Sequence, residues 1–170
     1  DLTGEPQWMR RMIDAHSGAA EGSGARIVHT CGFDSIPSDL GVWFTQQRAL
    51  ERFGTPCVRV AMRVHGFSGA ASGGTVASMM GLVEEAVADP DVRRLLADPY
   101  ALNPPDLRSG PHQADTRWAT FDARAGSWLA PFVTAGVHTK AGHRAHPLRG
   151  RPLAPGFRYD EALGAGDRVV

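Results

Sequence analysis

Two stretches of the chain combine residue types that could do chemistry. The first is Cys31-Gly32-Phe33-Asp34-Ser35-Ile36-Pro37-Ser38-Asp39-Leu40-Gly41. It continues from Arg26-Ile27-Val28-His29-Thr30-Cys31, a short, β-branched, mostly apolar run. Such a run suits a strand buried on both faces of a parallel sheet. A loop that leaves the carboxyl end of such a strand and enters a helix is where open α/β sheets bind ligands. Free backbone N–H groups at the helix start can hold negative charge there. The same residues also suit a plain strand-to-helix turn, with Gly32 and Pro37 as geometry and Ser38 as the helix cap. Residue pattern alone leaves both readings open.

The second stretch is Gly66-Phe67-Ser68-Gly69-Ala70-Ala71-Ser72-Gly73-Gly74-Thr75. Glycines in such a loop let a backbone approach a ligand closely. No Gly-Lys-Ser/Thr follows, so a nucleoside triphosphate is not implied, and the spacing is not that of a dinucleotide fingerprint. The alternative is a flexible turn capped by Thr75. His29, Cys31 and Asp34 could suggest a Cys–His hydrolase, but no oxyanion site is evident; a packed histidine and a buried thiol are expected instead. His138, His143 and His146 are too loosely spaced for zinc and lack an acidic or thiol partner nearby. They are expected on a solvated helix face, with no metal site, and the Met and Trp stripes are expected in the core.

The elements that must position these residues read as follows. A helix begins near Glu5-Pro6, since proline is tolerated at the first helical position, and ends within the Gly-rich stretch from Gly18 to Gly24. Ser38 caps a second helix, in which Leu40, Trp43, Phe44, Gln47 and Leu50 trace one face until Gly54 stops it. Val58, Val60, Met62 and Val64 then alternate with Arg59, Ala61, Arg63 and His65, as in an antiparallel strand with one face covered and one wet. Thr75 caps a helix bearing Val76, Met79, Met80, Val83 and Val87, and Asp89-Pro90 ends it and caps a short helix through Leu96. Proline and polar residues make Asp98 to Gln113 a loop. Trp118 to Phe121 and Trp128 to Val133 read as short strands, Thr134 to His146 as a helix, and Phe157-Arg158-Tyr159 as a last strand. The fold class expected is α/β: the C-terminal part of a Rossmann-like parallel sheet over 1–54, then an α+β layer with antiparallel strands over 55–170.

Composition bounds the rest. The chain has 170 residues and equal numbers of basic and acidic side chains, 18 each. That neutral balance argues against a nucleic-acid partner. Two cysteines, Cys31 and Cys57, make no disulfide framework. No apolar run approaches the roughly 18 residues of a membrane span, which leads us to expect a cytoplasmic protein, with peripheral membrane association left open. The abrupt start at Asp1 and stop at Val170 lead us to expect truncation at both ends.

At these same stretches the chain resembles the saccharopine dehydrogenase-like oxidoreductases, and within them the bacterial trans-acting enoyl reductases. The matching residues are Asp1-Leu2-Thr3-Gly4-Glu5, Gly24-Ala25-Arg26-Ile27-Val28-His29 and Cys31 through Gly41. Ser72-Gly73-Gly74-Thr75 with Ser78-Met79, Asp98-Pro99-Tyr100-Ala101-Leu102, Ala130-Pro131-Phe132 and Phe157-Arg158-Tyr159-Asp160-Glu161 match as well. The resemblance implies an NAD(P)-dependent reductase of an enoyl thioester. Its partners would be an acyl-thioester or other small-molecule substrate and a polyketide synthase, in lipid assembly. The main dinucleotide motif would lie upstream of Asp1, so the isolated chain would be inactive, and NADPH versus NADH stays open. Thr3, Asp34 and Ser35 would then be catalytic. Gly4, Glu5, Gly32 and Phe33 would border the cofactor, and Ser72, Gly73, Gly74 and Thr75 would cover the substrate. The competing reading is a non-catalytic binding or scaffold module, or a pseudoenzyme fragment. Hydride chemistry needs no thiol. Cys31→Ala in a full-length parent should therefore keep most reductase activity, and a loss on the order of a thousandfold with normal folding would contradict this.

Overall fold

The computed structural model describes residues 1–66, 72–113, 115–149 and 154–164. In chain order the elements are α1 (Pro6–Ser23), α2 (Ile36–Phe53), β1 (Arg59–Val64), α3 (Gly73–Ala88), α4 (Pro90–Ala97), a 3-10 turn (Pro105–Leu107), β2 (Thr120–Asp122), β3 (Ser127–Pro131), α5 (Ala135–Leu148) and β4 (Arg158–Gly164). The architecture is mixed α/β, with the sheet order β1-β4-β3-β2.

The sheet is not the antiparallel layer that alternation suggested. β1 and β4 run parallel, with Met62 opposite Glu161, while β2–β3 and β3–β4 are antiparallel. Alternation reports one covered face, and a parallel pair next to an antiparallel one satisfies that equally well. On the covered face, Val42 of α2 packs with Phe157 and Tyr159, joined by Val60 and Met62. On the other face Asp160 pairs with Arg59 and Arg63, each at 2.6 Å, and Arg63 reaches Asp122 at 3.0 Å. A second cluster, Met9, Ile13 and Leu102 with Val137, seats α1 against the turn after α4 and against α5. Burying a side chain of this size contributes roughly 1.5–3 kcal/mol.

Helix ends follow local chemistry. Pro6 opens α1 and Gly24, left-handed at φ 73, closes it. Gly54 does the same for α2 at φ 70. Asp89 ends α3 and caps α4, accepting from the Asp91 amide. Two expected caps are displaced by a few residues. Ser35, not Ser38, precedes α2, and Ser72, not Thr75, caps α3 by accepting from the Thr75 amide.

Three expectations about burial are overturned. Residues 26–31 form no sheet strand, and Ile27 and Val28 are exposed. The segment is tied to the chain start, through the Asp1 ammonium to Val28 O at 2.7 Å and the Cys31 amide to Asp1 O at 2.8 Å, and His29 meets the Trp8 ring of α1 edge to face. A strand buried on both faces needs neighbours on both edges and layers on both sides, and among the described residues it has neither. In α2 the large apolar residues Leu40, Trp43, Phe44 and Leu50 are exposed, while Ser38, Val42, Gln46 and Ala49 are buried. The polar members of that inner face are tolerated because they are bonded: the Gln46 amide exchanges two hydrogen bonds with the Cys57 backbone, at 2.9 and 2.7 Å. The Met stripe of α3 is likewise exposed, and that helix buries no residue.

The α5 histidines are the third reversal. His138, His143 and His146 are 3%, 5% and 4% exposed, so they line the interior and not a wet face. His143 sits between the rings of Tyr100 and Phe157. Burial lowers its pKa from 6.5 to about 4, with a smaller push from His146. Between those values the unfolded chain binds the proton and the folded chain does not, so stability falls as pH drops from 6.5 towards 4. His143→Phe should remove on the order of 3 kcal/mol of that acid sensitivity. Urea unfolding at both ends of the window checks it, and equal acid losses in variant and wild type would contradict it.

Candidate functional site

The two expected cofactor-side loops lie against each other. Thr3–Glu5 runs into α1, and Gly32–Ser35 runs into α2. The Cys31 amide bonds Asp1 O at 2.8 Å. A Cβ built on Gly32 would stand 2.7 Å from its own neighbour's Asp34 Oδ1 and 4.0 Å from Leu2 O. The Gly32 carbonyl accepts from the Ser35 and Ile36 amides at 3.1 and 3.0 Å, which closes the loop into a turn at the head of α2. Among the described residues the amides of Gly4, Gly32, Phe33 and Asp34 meet no acceptor. Thr30, immediately before this turn, has φ 55. A β-branched residue in the left-handed region is strained, and such strain collects at functional loops.

The individual side chains divide. Thr3 donates its hydroxyl to Glu5 Oε2 at 3.1 Å, and the Glu5 amide donates back to Thr3 Oγ1 at 3.4 Å, so this pair is internally engaged. Phe33 is 93% exposed and Asp34 is exposed, so the burial that an acid role for Asp34 would need is absent. Ser35 is buried.

The second expected loop stands apart. Ser72 Oγ accepts from the Thr75 amide at 3.1 Å and lies 3.0 Å from the Thr75 hydroxyl. Gly73 and Gly74 open α3 and neither has a positive φ. Among the described residues nothing lies within 4 Å of a Cβ built on Gly73. Phe67, Ser68, Gly69, Ala70 and Ala71 lie outside the described residues. No hydrogen bond or ion pair among the described residues joins Ser72–Thr75 to Gly32–Ser35. The tie between α1 and α3 is the Arg11–Glu85 ion pair.

Residue pattern missed a buried polar cluster directly behind the Gly32–Ser35 loop. Ser38, in the first turn of α2, donates to Glu161 Oε1 of β4 at 3.0 Å. Glu161 Oε2 accepts from His138 Nδ1 of α5 at 2.9 Å and from the Tyr159 hydroxyl at 3.1 Å. His138 Nδ1 also lies 3.1 Å from Ser38 Oγ. The side chains of His138 and Glu161 are wholly inaccessible to solvent. Burial, then the Glu161 charge, pushes the Tyr159 phenol far above its ordinary pKa, so it remains a donor. Beside Ser38, Asp39 Oδ2 pairs with Arg149 at 2.6 Å, and Asp39 Oδ1 lies 4.0 Å from His146 Nε2. Burial lowers the His146 pKa, with Asp39 opposing and Arg149 adding to the shift. Serine and glutamate both bond one nitrogen of His138, and its Nε2 is buried without a partner among the described residues, so these residues form no nucleophile–base–acid relay. No group of three His, Cys, Asp or Glu among the described residues is set to hold a metal ion. Separations of 100 and 123 residues along the chain hide the cluster from any local pattern. The strand expected at Phe157-Arg158-Tyr159 stops short of Glu161, so no local pattern singled that acid out.

The chain is 40% identical, over its whole length, to a putative trans-acting enoyl reductase of Mycobacterium tuberculosis, and it spans 42% of that protein. It is 36% identical to trans-acting enoyl reductases of Mycobacterium ulcerans and Mycobacterium leprae, covering 98% of this chain and 41% of each relative. The chain thus spans about two fifths of the length of these curated relatives. No family model and no solved structure matches. No described helix is long and apolar enough to cross a membrane.

The strained Thr30 gives a direct test of the loop geometry. Thr30→Gly, which relieves a positive φ, should raise stability by about 1 kcal/mol. A denaturation midpoint below wild type would show that the left-handed conformation is not held against strain.

Proposed function

We propose that this chain is the part of an NAD(P)-dependent enoyl-thioester reductase that borders the nicotinamide end of the cofactor and the substrate. The reading rests on one observation above others: four amides without acceptors among the described residues, those of Gly4, Gly32, Phe33 and Asp34, in two loops joined through Asp1 and Cys31 ahead of two helices. Such donors suit phosphate, carboxamide or enolate oxygen. The names of the relatives, trans-acting enoyl reductases, support the reaction class. In this reading residues 1–54 are the end of a Rossmann-like unit of saccharopine dehydrogenase type, and 55–170 are the substrate side.

Enoyl reduction puts a hydride on the β-carbon and a proton on the α-carbon, and the nicotinamide, when bound, supplies the hydride. The chain's own residues orient and stabilise. Gly4, Glu5, Gly32 and Phe33 border the cofactor, with Gly32 keeping the Leu2–Asp34 gap free of a side chain. In this reading the amides of Gly32 to Asp34, unpaired among the described residues, and the Ser35 hydroxyl hold the enolate oxygen, which is the largest contribution protein donors usually make. Thr3 acts through its bond to Glu5. Asp34 is exposed, and this reading assigns it no acid role, only that of its backbone amide. Ser72, Gly73, Gly74 and Thr75 cover the acyl thioester, and the carrier is a polyketide synthase.

Gly73 separates this reading from a purely structural one. Its φ is not positive and the space around it is open among the described residues, so none of them requires glycine there. In a full-length parent, assayed with an enoyl thioester and reduced nicotinamide, Gly73→Val should raise KM for the thioester about tenfold with a nearly unchanged melting temperature. Wild-type kinetic constants in that variant would remove the substrate-covering role, and a full-length parent without turnover on any enoyl thioester would overturn the reading as a whole.

A further inference from the structure

We infer that Ser38, clamped by Glu161 and His138, is a positioning residue that fixes the Gly32–Ser35 loop for hydride transfer. The inference rests on the functional reading above. It rests equally on a geometry that stands without that reading. The loop is rigidly continuous with the first turn of α2: the Ser35 and Ile36 amides bond Gly32 O, and the Asp39 amide bonds Ser35 O at 3.3 Å. Whatever holds that turn therefore holds the loop. Two consecutive residues of the turn reach other elements. Ser38 bonds Glu161 of β4 at 3.0 Å and lies 3.1 Å from His138 of α5. Asp39 pairs with Arg149, at the end of α5, at 2.6 Å.

Among the described residues the rest of α2 has no comparable polar tie at this end. Its outward side, Ile36, Leu40, Trp43 and Phe44, touches solvent, and the Gln46–Cys57 bonds lie two turns further on. The loop's other support, the Cys31–Asp1 bond, runs to the chain start. The buried carboxylate is thus the fixed point against which loop position is set. Its donors are oriented in turn, because the Nδ1–H of His138 is shared between Glu161 Oε2 and Ser38 Oγ. A positioned donor matters because a misplacement of about 1 Å can lower turnover by about a hundredfold.

The test uses amide hydrogen exchange on the whole chain and steady-state kinetics on a full-length parent. Ser38→Ala should speed exchange of the Ser35 and Ile36 amides about tenfold, with the β1 and β4 amides unchanged. Tyr159→Phe removes a Glu161 contact that belongs to β4 itself and should leave the loop amides as they were. In the parent, Ser38→Ala should lower kcat at least about tenfold with little change in KM for the dinucleotide. Arg149→Ala, which frees the Asp39 side at a half-exposed residue, should loosen the same amides by a smaller factor and keeps the test open should Ser38→Ala not fold. Unchanged loop exchange in both clamp variants, or equal loosening by Tyr159→Phe, would overturn the inference. A loosened loop with unchanged kcat would also overturn it. A loosened loop in a parent whose wild type reduces no enoyl thioester would instead sink the functional reading and leave the clamp standing as a structural device.

Discussion

The Glu161 carboxylate is the constraint on which the arrangement of this molecule turns. A buried carboxylate is tolerable only when nearly all its lone pairs are met. Here it accepts from a serine on α2, a histidine on α5 and a tyrosine on its own strand. Each donor comes with an element attached, so satisfying one charge fixes how α2 and α5 sit on β4. Removing a donor costs more than its bond, because the carboxylate left behind has lost a partner it cannot replace with water. Apolar packing by Val42, Phe157 and Tyr159 covers the same face, but apolar contact is non-directional. The hydrogen bonds choose among the packings that burial alone would accept.

The opposite sheet face is organised by charge as well, with a different consequence. Asp160 meets both Arg59 and Arg63, and Arg63 also meets Asp122. The Arg63 hydrogen bond, ahead of backbone bonds from Arg124, lowers the Asp122 pKa. Asp122 ends β2 at the turn into β3, and its Oδ1 also accepts from the Arg124 amide at 3.0 Å. The pairs therefore stitch the edge hairpin to the β1–β4 pair across the sheet. Gln113 completes β4 from a loop: it accepts from the Tyr159 amide and donates to Phe157 O, standing in for strand neighbours that β3 does not reach.

What the sequence made legible was local. The bounds of α1, α4 and α5 and the pair of short strands β2 and β3 follow, within a few residues, from capping and turn chemistry. The cluster behind the loop did not follow, because its members are a serine suited to capping, a histidine on a polar-looking helix and an acid just past the expected last strand. Each residue has an ordinary local explanation, and only their meeting across more than a hundred positions reveals the shared role. Caps slipped by a few residues for a related reason: Ser38 could cap α2, but its hydroxyl is used by Glu161 instead.

The reversed faces of α2 and α3 show what hydrophobic periodicity measures. Leu40, Trp43, Phe44 and Leu50 fall at helical spacing, yet they point outward while Ser38, Val42, Gln46 and Ala49 face the sheet and α5. In α3, Val76, Met79, Met80, Val83 and Val87 are exposed along one side. Periodicity establishes that a face is apolar; only tertiary contacts establish whether a neighbour covers it. The inner face of α2 is decided by bonds, since Ser38 and Gln46 find partners there that no leucine could use. The loop ahead of α2 consequently takes its position from polar chemistry. That is why the residues that hold it, Ser38, Asp39 and Glu161, carry no hydrophobic signature.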